Sequence, residues 1–230
     1  LTQVTYGESV YQKLNEDGSV RHYPGNSVVL MVEKDNDIYT HLKYATRRLK
    51  EMGVSEKFMM LPPSSYHMTV IQGVNDQVRK KEYWSSFKDI NTPLATMNHF
   101  FQQKIKEVQS FKQVSMSFDH IKLDNNDLRI NLRPKNDNEN QKLRNYRDRV
   151  SEKFGVKLPN HDTYSFHITL GYVWKLPDKE ESHILERYIK EMNDYLQSIN
   201  KEFELTNLVF VCYKDMFDFP GDCHNKEATS

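Results

Sequence analysis

Ser65-Tyr66-His67-Met68-Thr69-Val70 and Ser165-Phe166-His167-Ile168-Thr169-Leu170 are one phrase stated twice: serine, aromatic, histidine, apolar, threonine, apolar. Each copy alternates with period 2 and reads as a half-buried β-strand. Such a strand sends Tyr66, Met68 and Val70 to the core and shows Ser65, His67 and Thr69 on the other side. The second copy sorts Phe166, Ile168 and Leu170 inward, with Ser165, His167 and Thr169 outward. Side by side, two such strands form one site from two imidazoles and their neighbouring hydroxyls. With 9 histidines and 11 threonines in 230 residues, chance supplies roughly 0.4 His-x-Thr triplets, so agreement at all six positions carries the reading. A third triplet, His161-Asp162-Thr163, follows Pro159-Asn160, lacks apolar flanks and reads as a turn.

The second phrase starts 100 residues after the first, and each is preceded and followed by a helical pattern. Strands are expected at 27–32, 57–61, 114–123, 128–134 and 203–213, and helices at 37–52, 138–154 and 179–199. The stretch 77–108 reads as helical with a break at Thr92-Pro93, and Gly53 as the cap closing the helix before it. Asp124-Asn125-Asn126-Asp127 marks a hairpin. Hairpins rather than regular βαβ alternation predict an α+β fold. The expected architecture is bilobal: two antiparallel sheets with flanking helices around a central cleft carrying the two His-x-Thr strands. Residues 1–220 are read as one domain opening with a polar arm over 1–26, and 221–230 as a disordered tail.

The chain has 32 basic and 32 acidic residues, 37% hydrophobic and 28% charged content. A balanced charge argues against long nucleic acid, which selects a basic face. A small phosphorylated ligand needs only a local basic pocket. No apolar run has the length of a membrane span, so no membrane partner is expected. The first residue is Leu1 rather than Met, which leaves room for a targeting segment upstream. Cys212 and Cys223 are too few for a disulfide framework and lack zinc-ligand spacing. A reducing cytoplasm, a monomer, and no metal or cofactor are expected.

Displacement at phosphorus is in line and calls for a base on one side and an acid on the other. Histidine is the side chain whose ordinary pKa suits both roles. Threonine hydroxyls on the same face supply donors to the phosphate oxygens. Arg129 and Arg133, alternating on the polar side of 128–134, are candidate phosphate clamps. Gly171 falls on the His167–Thr169 face by simple alternation, where it leaves room for a ligand; its counterpart is Ile71. Gly-x-Ser-x-Gly, P-loop and glycine-rich dinucleotide motifs are absent, and two His-x-Thr triplets give too few ligands for zinc. His22, His41, His99, His120, His183 and His224 are read as structural or surface residues.

The paired, apolar-flanked phrases resemble the two-histidine phosphoesterase superfamily, which includes LigT-like RNA ligases and phosphodiesterases, cyclic nucleotide phosphodiesterases and enzymes trimming 2′–5′ linkages. Tyr23-Pro24-Gly25-Asn26-Ser27, Pro62 through Thr69, and Tyr164 through Leu170 are similar to a largely bacterial branch of it. There the position of Ser27 is often threonine. The resemblance implies metal-independent attack on a phosphodiester, with His67 and His167 as acid–base pair and Thr69 and Thr169 as phosphate donors. Tyr66, Asn26, Arg129, Arg133 and Tyr164 are the expected substrate contacts. The expected substrate is a nucleotide, cyclic nucleotide or oligonucleotide end, hydrolysed at a cyclic phosphate, a 2′–5′ linkage or an RNA-end diester. A noncatalytic nucleotide- or RNA-end-binding module and a 2′–5′ RNA ligase are the alternatives.

Overall fold

A computed structural model describes residues 4–199 and 201–223. His224 and most of the expected tail lie outside the described residues. The fold is α+β with an antiparallel sheet, as expected. Its strands are β1 (Gly25–Met31), β2 (Phe58–Met60), β3 (His67–Asn75), β4 (Val114–Leu123), β5 (Asp127–Pro134), β6 (His167–Val173), β7 (Glu202–Leu205) and β8 (Asn207–Tyr213). Its helices are α1 (Asp37–Glu51), α2 (Leu94–Ile105), α3 (Asp137–Phe154) and α4 (Lys179–Ile199). Local signals account for several boundaries. Asn36 accepts the Ile38 N–H at the start of α1, and Gly53, at φ +78°, follows its end.

Two element expectations are corrected. Residues 77–92 form turns and one short 3-10 turn rather than a helix, and α2 begins only after Pro93. Proline lacks the N–H of a helix interior but suits the entry to one. The last apolar stretch is two strands, because Thr206 separates β7 from β8 and they pair with different partners.

The expectation of two separate sheets is also corrected. The strands form one hydrogen-bonded path, β7-β4-β5-β6-β3-β1-β8, with β2 added on β6. At its centre, β3 and β6 share a single paired position, Met68 with Ile168, so the halves meet at a narrow seam. Laid flat, the edges of seven strands would stand about 29 Å apart. Yet β7 and β8, the two edges, are joined through Thr206 alone, a reach of about 7 Å. The path must therefore fold over on itself.

The helices cover one face of it. Phe210 of β8 meets Phe154 of α3, and Phe118 of β4 meets His41 of α1. By strand alternation both contacts lie on the side opposite His67 and Thr69. α4 packs on β4, and α1 on α4. The histidine face is left to the chain's two ends. The arm at 4–24 is pinned across the end of β6: Gly7 N–H donates to Trp174 O at 3.0 Å, Glu8 N–H to Asn125 O at 2.8 Å and Ser9 Oγ to Val173 O at 2.7 Å. Its Val10 and Leu14 are buried. At the other end Cys212 is joined to Cys223, their Cα atoms 4.8 Å apart. A disulfide is uncommon in a reducing cytoplasm, so the cysteines give that expectation no support. Among the described residues no helix is long and apolar enough to cross a membrane.

Candidate active site

The two phrases build the centre of the histidine face with twofold regularity. Tyr66, Met68 and Val70 are fully buried, as are Ile168 and Leu170, while His67, Thr69, His167 and Thr169 are half-buried. The serines lie outside the strands: Ser65 ends a 3-10 turn and donates to Pro62 O, and Ser165 is exposed. Continuing the antiparallel register from Met68 and Ile168 places His67 across from Thr169 and Thr69 across from His167. Each imidazole therefore faces the other strand's hydroxyl.

Both rings are held in the same way. His67 Nδ1 lies 2.7 Å from Ser65 O, and His167 Nδ1 2.8 Å from Ser165 O. A carbonyl accepts only, so each Nδ1 carries the proton and each Nε2 is left as the working nitrogen. Burial pushes His67 down to about 4, opposed by the Ser65 carbonyl and reinforced by His167. Burial also lowers His167; Arg129 and Lys13 add to the shift, while Ser165 O and Asp127 oppose it.

A consequence for stability follows. An unfolded His67 titrates near 6.5, above its folded value, so the unfolded chain binds more protons between those limits. Stability is expected to fall by on the order of 2–3 kcal/mol as pH drops from about 6.5 to 4. Urea midpoints from pH 7 to 4.5 check this, with His67→Gln losing part of the slope; parallel curves for wild type and variant would contradict it.

Immediately after each threonine the pairing slips by one residue. In β3, Thr69 pairs with Val29 and Ile71 with Val28; in β6, Thr169 pairs with Arg129 and Gly171 with Leu128. These are β-bulges at Val70 and Leu170, and each reverses the alternation beyond it. Gly171 is thereby turned off the histidine face: a Cβ there would meet Met60 Sδ at 2.7 Å and Met59 O at 3.0 Å. The open approach expected at Gly171 is thus filled by β2. Tyr172 takes the histidine side instead, opposite Asp127 and beneath Lys13, whose Nζ lies 4.6 Å from its ring centroid.

The expected substrate contacts divide. Arg129 stands directly opposite Thr169, with Asp124 at 2.6 Å and Asp127 at 3.2 Å. Tyr164 shares a hydrogen bond with Thr69, lies 5.9 Å from the His167 ring, and is pushed by burial up to about 12. These two belong to the histidine face. Arg133 pairs with Ser117 of β4 but lies beyond the last β5–β6 pair, Asn131 with His167; its side chain is 63% exposed, with Ser117 Oγ at 3.2 Å and Asp119 at 3.6 Å. Tyr66 points to the helix side, its hydroxyl 3.0 Å from Thr46 Oγ1. Asn26 is wholly buried, accepting the Val74 N–H and donating to Asn98 Oδ1. It pegs the irregular start of the β1–β3 pairing, and like Tyr66 it is engaged on the side opposite the histidine face.

His161 lies in the turn at 159–163, as read, and is buried with its Nε2 2.8 Å from Asp148 Oδ1. The ligand atoms of Asp148, His161 and Asp162 lie within 4.8 Å of one another, and Lys157 is 3.3 Å from Asp162.

A family model described as 2H-phosphodiest, Domain of unknown function (DUF1868), matches residues 13–126. Over residues 13–126 the chain matches the two-histidine phosphoesterase family. Phosphodiesterase-type chemistry is supported at the level of the superfamily. The matched residues hold the first of the family's two phrases, and the second is joined to it by the β3–β6 seam. The fold is shared with the crystal structure of the conserved protein of unknown function ATU0111 from Agrobacterium tumefaciens str. C58. The TM-score is 0.83 at 22% identity, over 93% of this chain and 90% of that one. No curated protein matches the chain.

Sequence reasoning did not pick out Lys13, Asp127 and Tyr172, which lie together on the histidine face, or Phe219, which joins His67 to Tyr213 by ring contacts. Asp127 reads as a turn residue and Lys13 as part of a polar arm, and nothing local in either signals the groove. Phe219 stacks on His67, with ring centroids 4.1 Å apart.

Proposed function

We propose that the protein is a metal-independent phosphodiesterase acting on a cyclic phosphate, a 2′–5′ linkage or the diester at an RNA end. The observation that carries the reading is the matched tethering of both Nδ1 atoms, which leaves two Nε2 atoms on one face with a threonine opposite each. A neutral Nε2 takes the proton from attacking water as the P–O bond to it forms. A protonated Nε2 gives its proton to the leaving oxygen as the opposite P–O bond breaks. The threonine hydroxyls and Arg129 donate to the phosphate oxygens.

The two histidines are not equivalent. His67 is roofed by an aromatic ring, whereas His167 has Asp127 nearby to favour its charged form. His67 therefore takes the part of base and His167 that of acid. The anionic diester, seated between them, favours protonation of His167.

The test is a panel of 2′,3′-cyclic nucleotides, cyclic dinucleotides and 2′–5′ oligonucleotides incubated in EDTA. Turnover of one class without added divalent ion is expected, because the imidazoles supply both proton transfers. Activity lost in EDTA and restored by zinc or manganese would contradict the mechanism. Tight binding without turnover across the panel would identify a binding module instead.

A further inference from the structure

Three rings are stacked on the histidine face. The Phe219 centroid lies 4.7 Å from that of Tyr213 at an interplanar angle of 23°, and 4.1 Å from that of His67 at 11°. Phe219 is carried on the segment that leaves β8 at Tyr213 and doubles back. Asp215 accepts the Phe217 N–H at 2.8 Å, and Asp218 accepts the Lys214 N–H at 3.1 Å. Gly221 then returns against β8 so closely that a Cβ would sit 1.8 Å from Cys212 O. The Cys212–Cys223 bond fastens the same point. The segment is thus tied at both ends, with Phe219 between them.

We propose that Phe219 is a positioning residue for the reaction, holding the His67 imidazole at a fixed tilt and in its proton-accepting form. This rests on the reading of His67 as an acid–base group. The Ser65 carbonyl fixes one edge of the ring at Nδ1. That contact alone leaves the ring free to rock about it, and a face-to-face neighbour removes this freedom while leaving the Nε2 edge open. The stack also takes water from the ring face. Aromatic faces attract cations, which acts the other way, but burial is the largest influence on His67 and lowers it.

His167, across the seam on β6, is the titratable group that acts on His67. Glu33, Lys34 and Asp35, after β1, line a neighbouring cavity with Ser64 and Pro220. On the segment itself, Asp215 and Asp218 are engaged by backbone N–H groups.

The experiment is an NMR titration of the His67 imidazole in wild type, Phe219→Ala, Phe219→Leu and Phe219→Tyr, paired with kcat and KM on whichever diester the panel identifies. In wild type His67 titrates well below the ordinary histidine value. In Phe219→Ala it moves up toward that value, and kcat falls roughly 10- to 100-fold with KM changed less. Phe219→Tyr keeps the ring and restores both readings. If Phe219→Ala does not fold, Phe219→Leu, which keeps apolar volume without a flat face, is read in the same way. Releasing the far end with Cys212→Ser/Cys223→Ser moves the titration partway in the same direction. An unchanged His67 titration in folded Phe219→Ala or Phe219→Leu overturns the proposal, whatever the activity. The shifted titration with no diester hydrolysed leaves Phe219 in its role toward the imidazole and removes the phosphodiesterase reading alone.

Discussion

His67→Ala and His167→Ala are each expected to cut turnover by roughly 10²–10⁴, the worth of one positioned acid or base. Both Nε2 atoms serve a single displacement, so the double variant is expected to lose less than the product of the two singles. Thr69→Ala and Thr169→Ala remove one donor among several and are expected to cost about one to three orders of magnitude. His161→Ala is the control. It deletes the third His-x-Thr histidine, which pairs with Asp148 in the turn at 159–163. Steady-state kinetics on folded protein decide the matter. If His161→Ala were as damaging as His167→Ala, the site would have to be rebuilt around the turn at 159–163.

The largest expected effect on stability is at Arg147. This arginine of α3 is 3% exposed, donates from Nη1 to the Val70 carbonyl and from Nη2 to the His161 carbonyl at 2.7 Å, and lies 4.5 Å from the Tyr164 ring centroid. Val70 is the bulged residue beside Thr69, so its carbonyl is turned out of the regular ladder and depends on Arg147. Truncation strands two buried acceptors at about 1–3 kcal/mol each, partly relieved by entering water. Arg147→Ala is expected to lower unfolding free energy by about 2–4 kcal/mol. Lysine has no fork to span both carbonyls, so Arg147→Lys is expected to keep much of the loss. Urea denaturation of both variants checks this. A loss well below 1 kcal/mol in Arg147→Ala would show that the carbonyls find other partners.

The part of the fold that was legible in the sequence is the part written in local periodicity. Alternation at 65–70 and 165–170 places His67, Thr69, His167 and Thr169 on one face, and Gly53 and the Asp124–Asp127 turn mark real boundaries. What escaped it depends on distant pairing. A bulge leaves no mark in a strand's own pattern, so simple alternation puts Gly171 on the face that Tyr172 in fact takes. The single β3–β6 pair, which merges two expected sheets into one path, is likewise a contact between residues 100 apart. Tyr66 and Asn26 sit in the motifs that carry the family resemblance, yet their polar atoms are engaged by Thr46, Val74 and Asn98. Phe219 reaches His67 only because its segment doubles back on β8.

The central claim is that two unequal imidazoles on one face pass protons across a phosphodiester. It is tested most directly by the pH dependence of kcat/KM, measured in chelator, for wild type, His67→Ala and His167→Ala. Because kcat/KM reports the free enzyme and both histidines there titrate below their ordinary value, a bell centred between about pH 4 and 6.5 is expected. His67→Ala should lose the acid limb, where the base becomes protonated, and His167→Ala the alkaline limb, where the acid loses its proton. A wild-type bell whose limbs both survive either substitution would contradict the account.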